Sequence, residues 1–279
     1  MTFTDVKADH AGTGRRHARP TVTLTGVLSR WGTIISLVVL VLVFTLLAGS
    51  SFANSQNFLN ILNQVSILAI IAAGLTVCLT MGLFDLSIGS IATLGGYLAL
   101  RWSAEAGAGP VVYLVLLAVA LIALGIGVVN GIVVSYLGVS AFIATLATAS
   151  IMDGVALGYS EAQSIQSGLP VEVLNLGQAK VGPIPMPVII MALVMLVLWL
   201  FLERTQMGRH MYAIGGNAEA ARLAGIRVRL YALVALAISA FCAALGGTVA
   251  DAVIGSGRPY GIGAVYLLDA FAAAFIGAA

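Results

Sequence analysis

Long runs without a charged side chain constrain this chain more than any other feature of its sequence. No Asp, Glu, Lys or Arg occurs at positions 31–84 or 106–152, and two shorter uncharged runs cover 181–202 and 230–250. A helix of about 20 apolar residues crosses the hydrocarbon core of a bilayer. Each long run therefore has room for two spans, and each short run has room for one. Because backbone groups find no water partners in lipid, we expect every span to be helical.

The composition excludes a soluble globular protein and a disordered one. The 279 residues are 60% hydrophobic and 9% charged, whereas about 25% of the residues in soluble domains are charged. A disordered chain carries far fewer apolar residues than this one does. We therefore predict an all-α fold, a polytopic transmembrane helical bundle. About eight hydrophobic segments are expected, at 31–49, 58–82, 88–100, 111–136, 140–158, 187–203, 230–250 and 262–279.

The positions of Lys and Arg predict the orientation in the membrane. Most of the 13 basic residues lie before the first span or within 203–229, and cytoplasmic segments are the ones enriched in Lys and Arg. We expect a cytoplasmic basic N-terminal tail at 1–30, followed by a transmembrane domain at 31–279. That domain would carry an external loop at about 159–186 and a cytoplasmic loop at about 204–229. A basic tail beside a membrane is expected to contact lipid headgroups rather than nucleic acid.

Enzyme and metal-site motifs are missing from the sequence. It contains no G-x-x-x-x-G-K-[ST] phosphate loop, which binds ATP in other proteins. It also contains no G-x-S-x-G motif, which serves acyl transfer, and no H-E-x-x-H motif, which serves zinc-dependent hydrolysis. The three histidines are scattered, and no Cys or His pair has the spacing of metal ligands. We therefore expect no catalytic residue, no metal and no cofactor in this chain.

Polar residues interrupt the hydrophobic segments in two places. Asp85 and Ser87 lie in G-L-F-D-L-S-I-G-S between two apolar segments, where Asp85 could cap the next helix or could mark a broken helix along a translocation path. Asn130 and Thr145 lie in G-V-V-N-G and F-I-A-T-L. They could bond helices to each other or could line the same path.

The polar segment at 203–230 predicts a short rigid helix outside the bilayer. Gly216 and Asn217 supply a turn and a helix cap, Ala218 to Leu223 are strong helix formers, and Gly225 follows as a helix terminator. Such an element is suited to transmit force from a membrane domain to a soluble partner. A structured loop without a partner is the alternative.

This segment also carries a resemblance to a known family. G-N-A-E-A-A-R-L-A-G-I, at 216–226, resembles the cytoplasmic loop of ABC importer permeases of the ribose, xylose and galactose type. F-D-L-S-I-G-S, N-G followed by A-F-I-A-T-L, and G-I-G followed by Y-L-L-D-A are similar to three further motifs of that family. The resemblance covers about 57–279.

The resemblance implies a function and a set of partners. The chain would be a permease subunit in a bacterial inner membrane, with a cytoplasmic N-terminus, and would form the path for a small polar solute, expected to be a monosaccharide. A second permease, identical or related, would complete the pore. Two separate subunits would bind ATP and Mg and hydrolyse the ATP, so this chain would not be an enzyme. An external solute-binding protein would deliver the solute.

The resemblance also assigns roles to individual residues. The residues implied to couple to the ATPase are Gly216, Asn217, Glu219, Ala220, Ala221 and Gly225. Those implied to lie along the translocation path are Asp85, Ser87, Asn130, Phe142 and Thr145.

Some features depart from the family pattern and leave an alternative open. Leu83 replaces a glycine of the family motif, Ala147 stands where glycine is usual, and Asp153 stands where a basic residue is frequent. Family members continue through further spans, so we expect this sequence to be a truncated form of a longer permease. The alternative is an ion-coupled secondary transporter or channel that works without an ATPase. Its coupling carboxylates would be Asp85, Asp153, Asp251 and Asp269.

Overall fold

A computed structural model describes the backbone of residues 24–278 and the side chains of residues 32–277. Residues 1–23 of the predicted basic tail, 1–30, lie outside this part of the chain. The helices are α1 (Leu24–Ala48), α2 (Ser55–Leu79), α3 (Ile88–Ala106), α4 (Val111–Ser135), α5 (Ala141–Ser160), α6 (Val171–Gln178), α7 (Met186–Arg204), α8 (Gln206–Gly216), α9 (Ala218–Leu223), α10 (Val228–Ile254) and α11 (Ile262–Ala278). Two short strands, β1 (Lys180–Val181) and β2 (Ile184–Pro185), pair antiparallel.

The helical membrane bundle predicted from the sequence is confirmed. A helix occupies each of the eight predicted segments, and six of these helices, α1, α2, α4, α5, α7 and α10, are long and apolar enough to cross a membrane. The third segment is longer than predicted, because α3 continues past residue 100 to Ala106. Arg101 and Glu105 form an ion pair in this extension, so the helix continues beyond the apolar run that suggested its end.

Helix α10 lies at the centre of the bundle and packs against α2, α3 and α4. Small residues allow the backbones to approach closely, as is typical of membrane helices. A Cβ atom at Gly127 of α4 would overlap the backbone of Leu236, and one at Gly247 of α10 would overlap the carbonyl group of Ala92. Larger side chains at these glycines would therefore push the helices apart.

The segment between α5 and α7 is more ordered than the predicted external loop. It contains α6 and the β1–β2 hairpin, and α6 packs against the end of α10. Gln178 Nε2 donates to the carbonyl oxygen of Ala252 at 3.0 Å, and Gly177 leaves no room for a side chain beside Val253. This segment therefore covers one end of the bundle.

Candidate functional site

The chain breaks its helical path between α2 and α3, at residues 80–87, which we call the break. Gly82 has a φ of +72°, which favours glycine. Asp85 and Ser87 are buried. Asp85 Oδ1 accepts from the Ser87 backbone N–H at 3.0 Å and from the Ser87 hydroxyl at 2.5 Å. Asp85 thus closes an Asx turn before α3 instead of capping the first turn of that helix.

Side chains from α4 and α5 hold the break in place. Asn130 Nδ2 donates to Ser87 Oγ at 3.1 Å, and the Thr148 hydroxyl donates to Asn130 Oδ1 at 2.5 Å. The backbone N–H of Leu86 donates to Thr145 Oγ1 at 3.0 Å. These bonds join the break to α4 and α5, and we call the bonded side chains the polar network, which consists of Asp85, Ser87, Asn130, Thr145 and Thr148.

The structure brings four of the five predicted path residues together in the polar network. All four, Asp85, Ser87, Asn130 and Thr145, are buried. The side chain of Phe142, the fifth, is 51% exposed and does not belong to the polar network. Thr148 was not predicted from the sequence, and only its position one turn after Thr145 could have suggested it.

A cavity of about 390 Å³ lies between α3, α5 and α11, next to the break. Its polar lining comes from Ser90 and Thr93 of α3, Ser150 and Asp153 of α5, and Tyr260. None of the five predicted path residues lines it, although Leu86, which the polar network holds through its N–H, does. The sequence motifs therefore identify residues that hold the cavity wall in place, and not the residues that line the cavity.

The rim of the cavity is formed by the connector between α10 and α11, residues 255–261, which contributes Pro259 and Tyr260. Gly255 and Gly261 begin and end the connector with φ values of +71° and +88°. Two hydrogen bonds of 2.9 Å join Gly257 to Ile165. The connector is thus fastened to the segment that follows α5.

A buried carboxylate makes a second attachment of the connector. Asp251 of α10 is fully buried, and its Oδ2 accepts from the backbone N–H of Arg258 at 3.3 Å. The Arg258 guanidinium Nε lies 4.0 Å from Asp251 Oδ1. At the far end of the connector, the N–H of Gly263 donates to Thr93 Oγ1 at 2.9 Å, so α11 begins beside α3.

The polar segment between α7 and α10, residues 205–227, is a helix pair, and its first helix, α8, was not predicted. Thr205 Oγ1 caps α8 by accepting from the N–H of Gly208 at 3.1 Å. Asn217 Oδ1 caps α9 by accepting from the N–H of Ala220 at 2.9 Å. Gly225, with a φ of +84°, ends α9 as the sequence predicts. The bonds from Gly225 N–H to Arg222 and from Ile226 N–H to Ala221 form a Schellman motif.

Helix α8 fixes this segment to the bundle beside the break. Met211 and Ile214 are buried in a cluster that includes Met81. His210 Nδ1 and the Tyr231 hydroxyl are 2.6 Å apart, which joins α8 to α10. Partial burial raises the pKa of the Tyr212 hydroxyl, which donates to Glu203 of α7 at 3.2 Å.

The predicted coupling residues divide into an exposed set and one anchor. Ala221 is buried and packs in the same cluster as Met211, so it attaches α9 to the bundle. Leu223 is 80% exposed, and the sequence prediction did not include it. An apolar side chain at the end of a polar helix is the signal that could have found it. The exposed set comprises Gly216, Asn217, Glu219, Ala220 and Gly225.

The described residues contain no group of three or more His, Cys, Asp or Glu side chains placed to hold a metal ion. Cys78 and Cys242 are both buried and free.

Comparisons with known proteins point to transport permeases. The family model described as branched-chain amino acid transport system / permease component matches residues 57–279. The chain is 35% identical over 246 residues to the ribose import permease protein of Haemophilus influenzae, which covers 87% of this chain and 75% of that protein. It is 34% identical over 248 residues to the D-allose transport system permease protein of Escherichia coli, with 89% and 75% covered.

A galactose permease is a third relative of this chain. The chain is 33% identical over 246 residues to the galactose/methyl galactoside import permease protein of H. influenzae, which covers 81% of this chain and 72% of that protein. No solved structure matches the chain significantly.

Proposed function

Because the chain belongs to the family of branched-chain amino acid transport system permease components, we propose that it is the subunit through which an ATP-driven importer moves a monosaccharide across the membrane. The observation that carries this proposal is the similarity over most of the chain to permeases named for ribose, D-allose and galactose. The multi-pass helical bundle agrees with such a role. The membrane would be the bacterial inner membrane, with the N-terminus in the cytoplasm.

The solute would pass along the cavity between α3, α5 and α11. This cavity combines polar groups with apolar walls, as small-molecule sites do. The polar network would hold the break against the cavity, since Leu86 belongs to the wall and donates to Thr145. The path would thus be held in position by Asp85, Ser87, Asn130 and Thr145. Phe142, which is exposed, would lie beside the path and not line it. A second permease, identical or related, would complete the pore.

The exposed face of α9 would dock into an ATP-binding subunit. Its residues are held rigidly, because Asn217 caps the start of α9 and Gly225 ends it. Glu219, Ala220 and Leu223 are exposed. Two such subunits would bind ATP and Mg, and a solute-binding protein would deliver the sugar from outside. Hydrolysis of ATP would take place in those partners, not in this chain.

The assembled importer tests this proposal in proteoliposomes. The permease is reconstituted with its ATP-binding subunits and its solute-binding protein, and uptake of radiolabelled D-ribose, D-allose and D-galactose is measured with and without ATP. We expect ATP-dependent uptake of at least one sugar. Uptake by the permease alone under a proton or sodium gradient would contradict the proposal and favour an ion-coupled transporter.

A pair of matched variants tests the docking surface. Leu223→Asp places a charge on the exposed face of α9, and we expect it to abolish retention of the ATP-binding subunit during purification. Val171→Asp is the control, because Val171 is also apolar and 62% exposed but lies on α6, outside the cytoplasmic segment. Equal loss of the ATP-binding subunit in both variants would contradict the assignment of α9 as the docking element.

A further inference from the structure

Asp153 is an ionisable side chain in a helix long and apolar enough to cross the membrane. It belongs to α5 and lines the cavity. No described cation lies within ion-pair distance of its carboxylate. Asp153 is exposed, and a carboxylate in a membrane-spanning helix is costly unless it faces water or hydrogen-bond donors. The cavity is therefore where the Asp153 carboxylate would find its donors.

The other polar groups of the cavity differ in how far the fold already uses them. The Thr93 hydroxyl donates to the carbonyl oxygen of Gly89 at 3.2 Å and accepts from the N–H of Gly263 at 2.9 Å. Its donor and one acceptor position are therefore already used within the fold. Ser150 donates to the carbonyl oxygen of Leu146 at 3.2 Å. Tyr260, on the rim, is 56% exposed. Asp153, Ser90 and Tyr260 are thus the groups most able to bond a solute, because none of these side chains forms a hydrogen bond to another described residue.

The lining favours a particular class of solute. Asp153 is its only charged residue among the described lining residues, and leucine and proline side chains form much of the remaining wall. A carboxylate accepts hydrogen bonds from hydroxyl groups, and it disfavours a second negative charge in the same cavity. The apolar wall suits the C–H faces of a sugar ring.

We propose that Asp153, together with the hydroxyl of Tyr260, forms a contact site for an uncharged polyhydroxylated solute inside the cavity. This inference rests on the proposed function, because it names residues of the same path. The Asp153 carboxylate accepts hydrogen bonds from solute hydroxyls, and Tyr260 bonds the solute from the rim.

Uptake by a charge-removing variant is the first test. Asp153→Asn keeps the size of the side chain but replaces a charged acceptor with a neutral amide. Loss of a charge-assisted hydrogen bond lowers uptake of D-ribose by about tenfold, seen as a rise in KM at unchanged assembly. Glu161→Gln is the control, because this carboxylate is exposed at the end of the same helix and lies outside the cavity. Wild-type KM for Asp153→Asn would overturn the inference.

Cysteine labelling tests whether the site is wet and whether the solute reaches it. Asp153→Cys introduces one accessible thiol, since Cys78 and Cys242 are buried. A membrane-impermeant methanethiosulfonate should label it, and turnover with D-ribose should slow the labelling. Ile151→Cys is the control, because Ile151 is exposed on α5 but does not line the cavity. It should resist the reagent, because an exposed side chain that lies outside the cavity on a membrane-spanning helix is expected to face lipid instead of water.

The two tests separate failure of this inference from failure of the proposed function. If the wild-type importer takes up none of the three sugars, the proposed function fails, while labelling of Asp153→Cys still reports whether the position lines an aqueous path. If the wild type transports D-ribose and the thiol stays unlabelled, Asp153 lies in a protein contact and the inference is overturned. Labelling that D-ribose turnover does not slow would overturn the solute contact as well.

Discussion

Helix α9 and the break both depend on a short side chain that accepts a hydrogen bond from a nearby backbone N–H. Asn217 accepts from Ala220, and Asp85 accepts from Ser87. The hydrogen bonds within α9 and its Schellman motif join residues of 217–226, and Ala221 is the one buried residue of α9, whereas the break is held by Asn130 and Thr145 from other helices. Apart from Ala221, the first region is exposed and its hydrogen bonds are local, whereas the second is buried and shared among helices. A change in α9 should therefore stay in α9, while a change in the break should reach the bundle.

Asp85→Ala should have the largest effect on stability. The substitution leaves the N–H and the hydroxyl of Ser87 buried without their acceptor, and each orphaned group costs about 1–3 kcal/mol. We expect the free energy of unfolding to fall by about 3 kcal/mol, measured by denaturant titration in detergent micelles.

Asp85→Asn is the matched control for this effect. An amide oxygen can still accept from Ser87, so the loss should be about 1 kcal/mol. Equal losses in both variants would mean that the charge of Asp85, not its place in the Asx turn, stabilises the break.

Gly225→Ala should weaken α9 and leave the bundle unchanged. A residue with a side chain loses about 1–2 kcal/mol in the left-handed conformation that Gly225 adopts at a φ of +84°. Hydrogen exchange of the backbone amides of residues 217–226 in the intact protein should therefore accelerate. The free energy of unfolding of the bundle should not change.

Gly216→Ala is the control for Gly225→Ala. A Cβ atom at Gly216 meets open space, and this glycine has no positive φ. In Gly216→Ala, the amide hydrogen exchange of residues 217–226 should match that of the wild type. Faster exchange at α2 or α10 in Gly225→Ala would contradict the idea that α9 folds on local contacts.

The same contrast explains what the sequence could predict. Uncharged runs locate the membrane helices because lipid admits few charges, and α9 was predicted because Asn217 and Gly225 are signals read within a few residues. Helix α8 was missed, since its burial depends on Met81 and other residues far along the chain. Helix α6, between α5 and α7, was missed for the same reason.

Within the candidate site, proximity was the part that sequence could not supply. Asp85, Ser87, Asn130 and Thr145 stand out individually as polar residues in apolar segments, but nothing in their spacing shows that they bond to one another. The cavity lining combines three helices and the 255–261 connector. The sequence marks Asp153 as a departure from the family pattern and as a candidate coupling carboxylate, but only the fold places it at the cavity wall.

Asn217→Ala should destabilise α9 as well, but less than Gly225→Ala does. It removes the oxygen that accepts from the N–H of Ala220, and loss of an N-cap costs about 1 kcal/mol. Exchange of the α9 amides should rise by about fivefold, and stimulation of the ATP-binding subunit should fall. Asn217→Asp retains the cap and should restore both properties, unless the amide of Asn217 itself contacts the partner.

Glu219→Gln should have the smallest effect on folding. Glu219 and Arg222 form an ion pair of 2.7 Å whose side chains are more than half exposed, and such pairs contribute about 0–1 kcal/mol at most. The α9 exchange rates should change by less than twofold, and the difference should vanish in high salt because ions screen exposed charges. If ATP-dependent uptake nevertheless falls strongly, the carboxylate acts on the ATP-binding subunit and not on α9. An unchanged uptake would leave Leu223 and Ala220 as the contacts that the docking surface depends on.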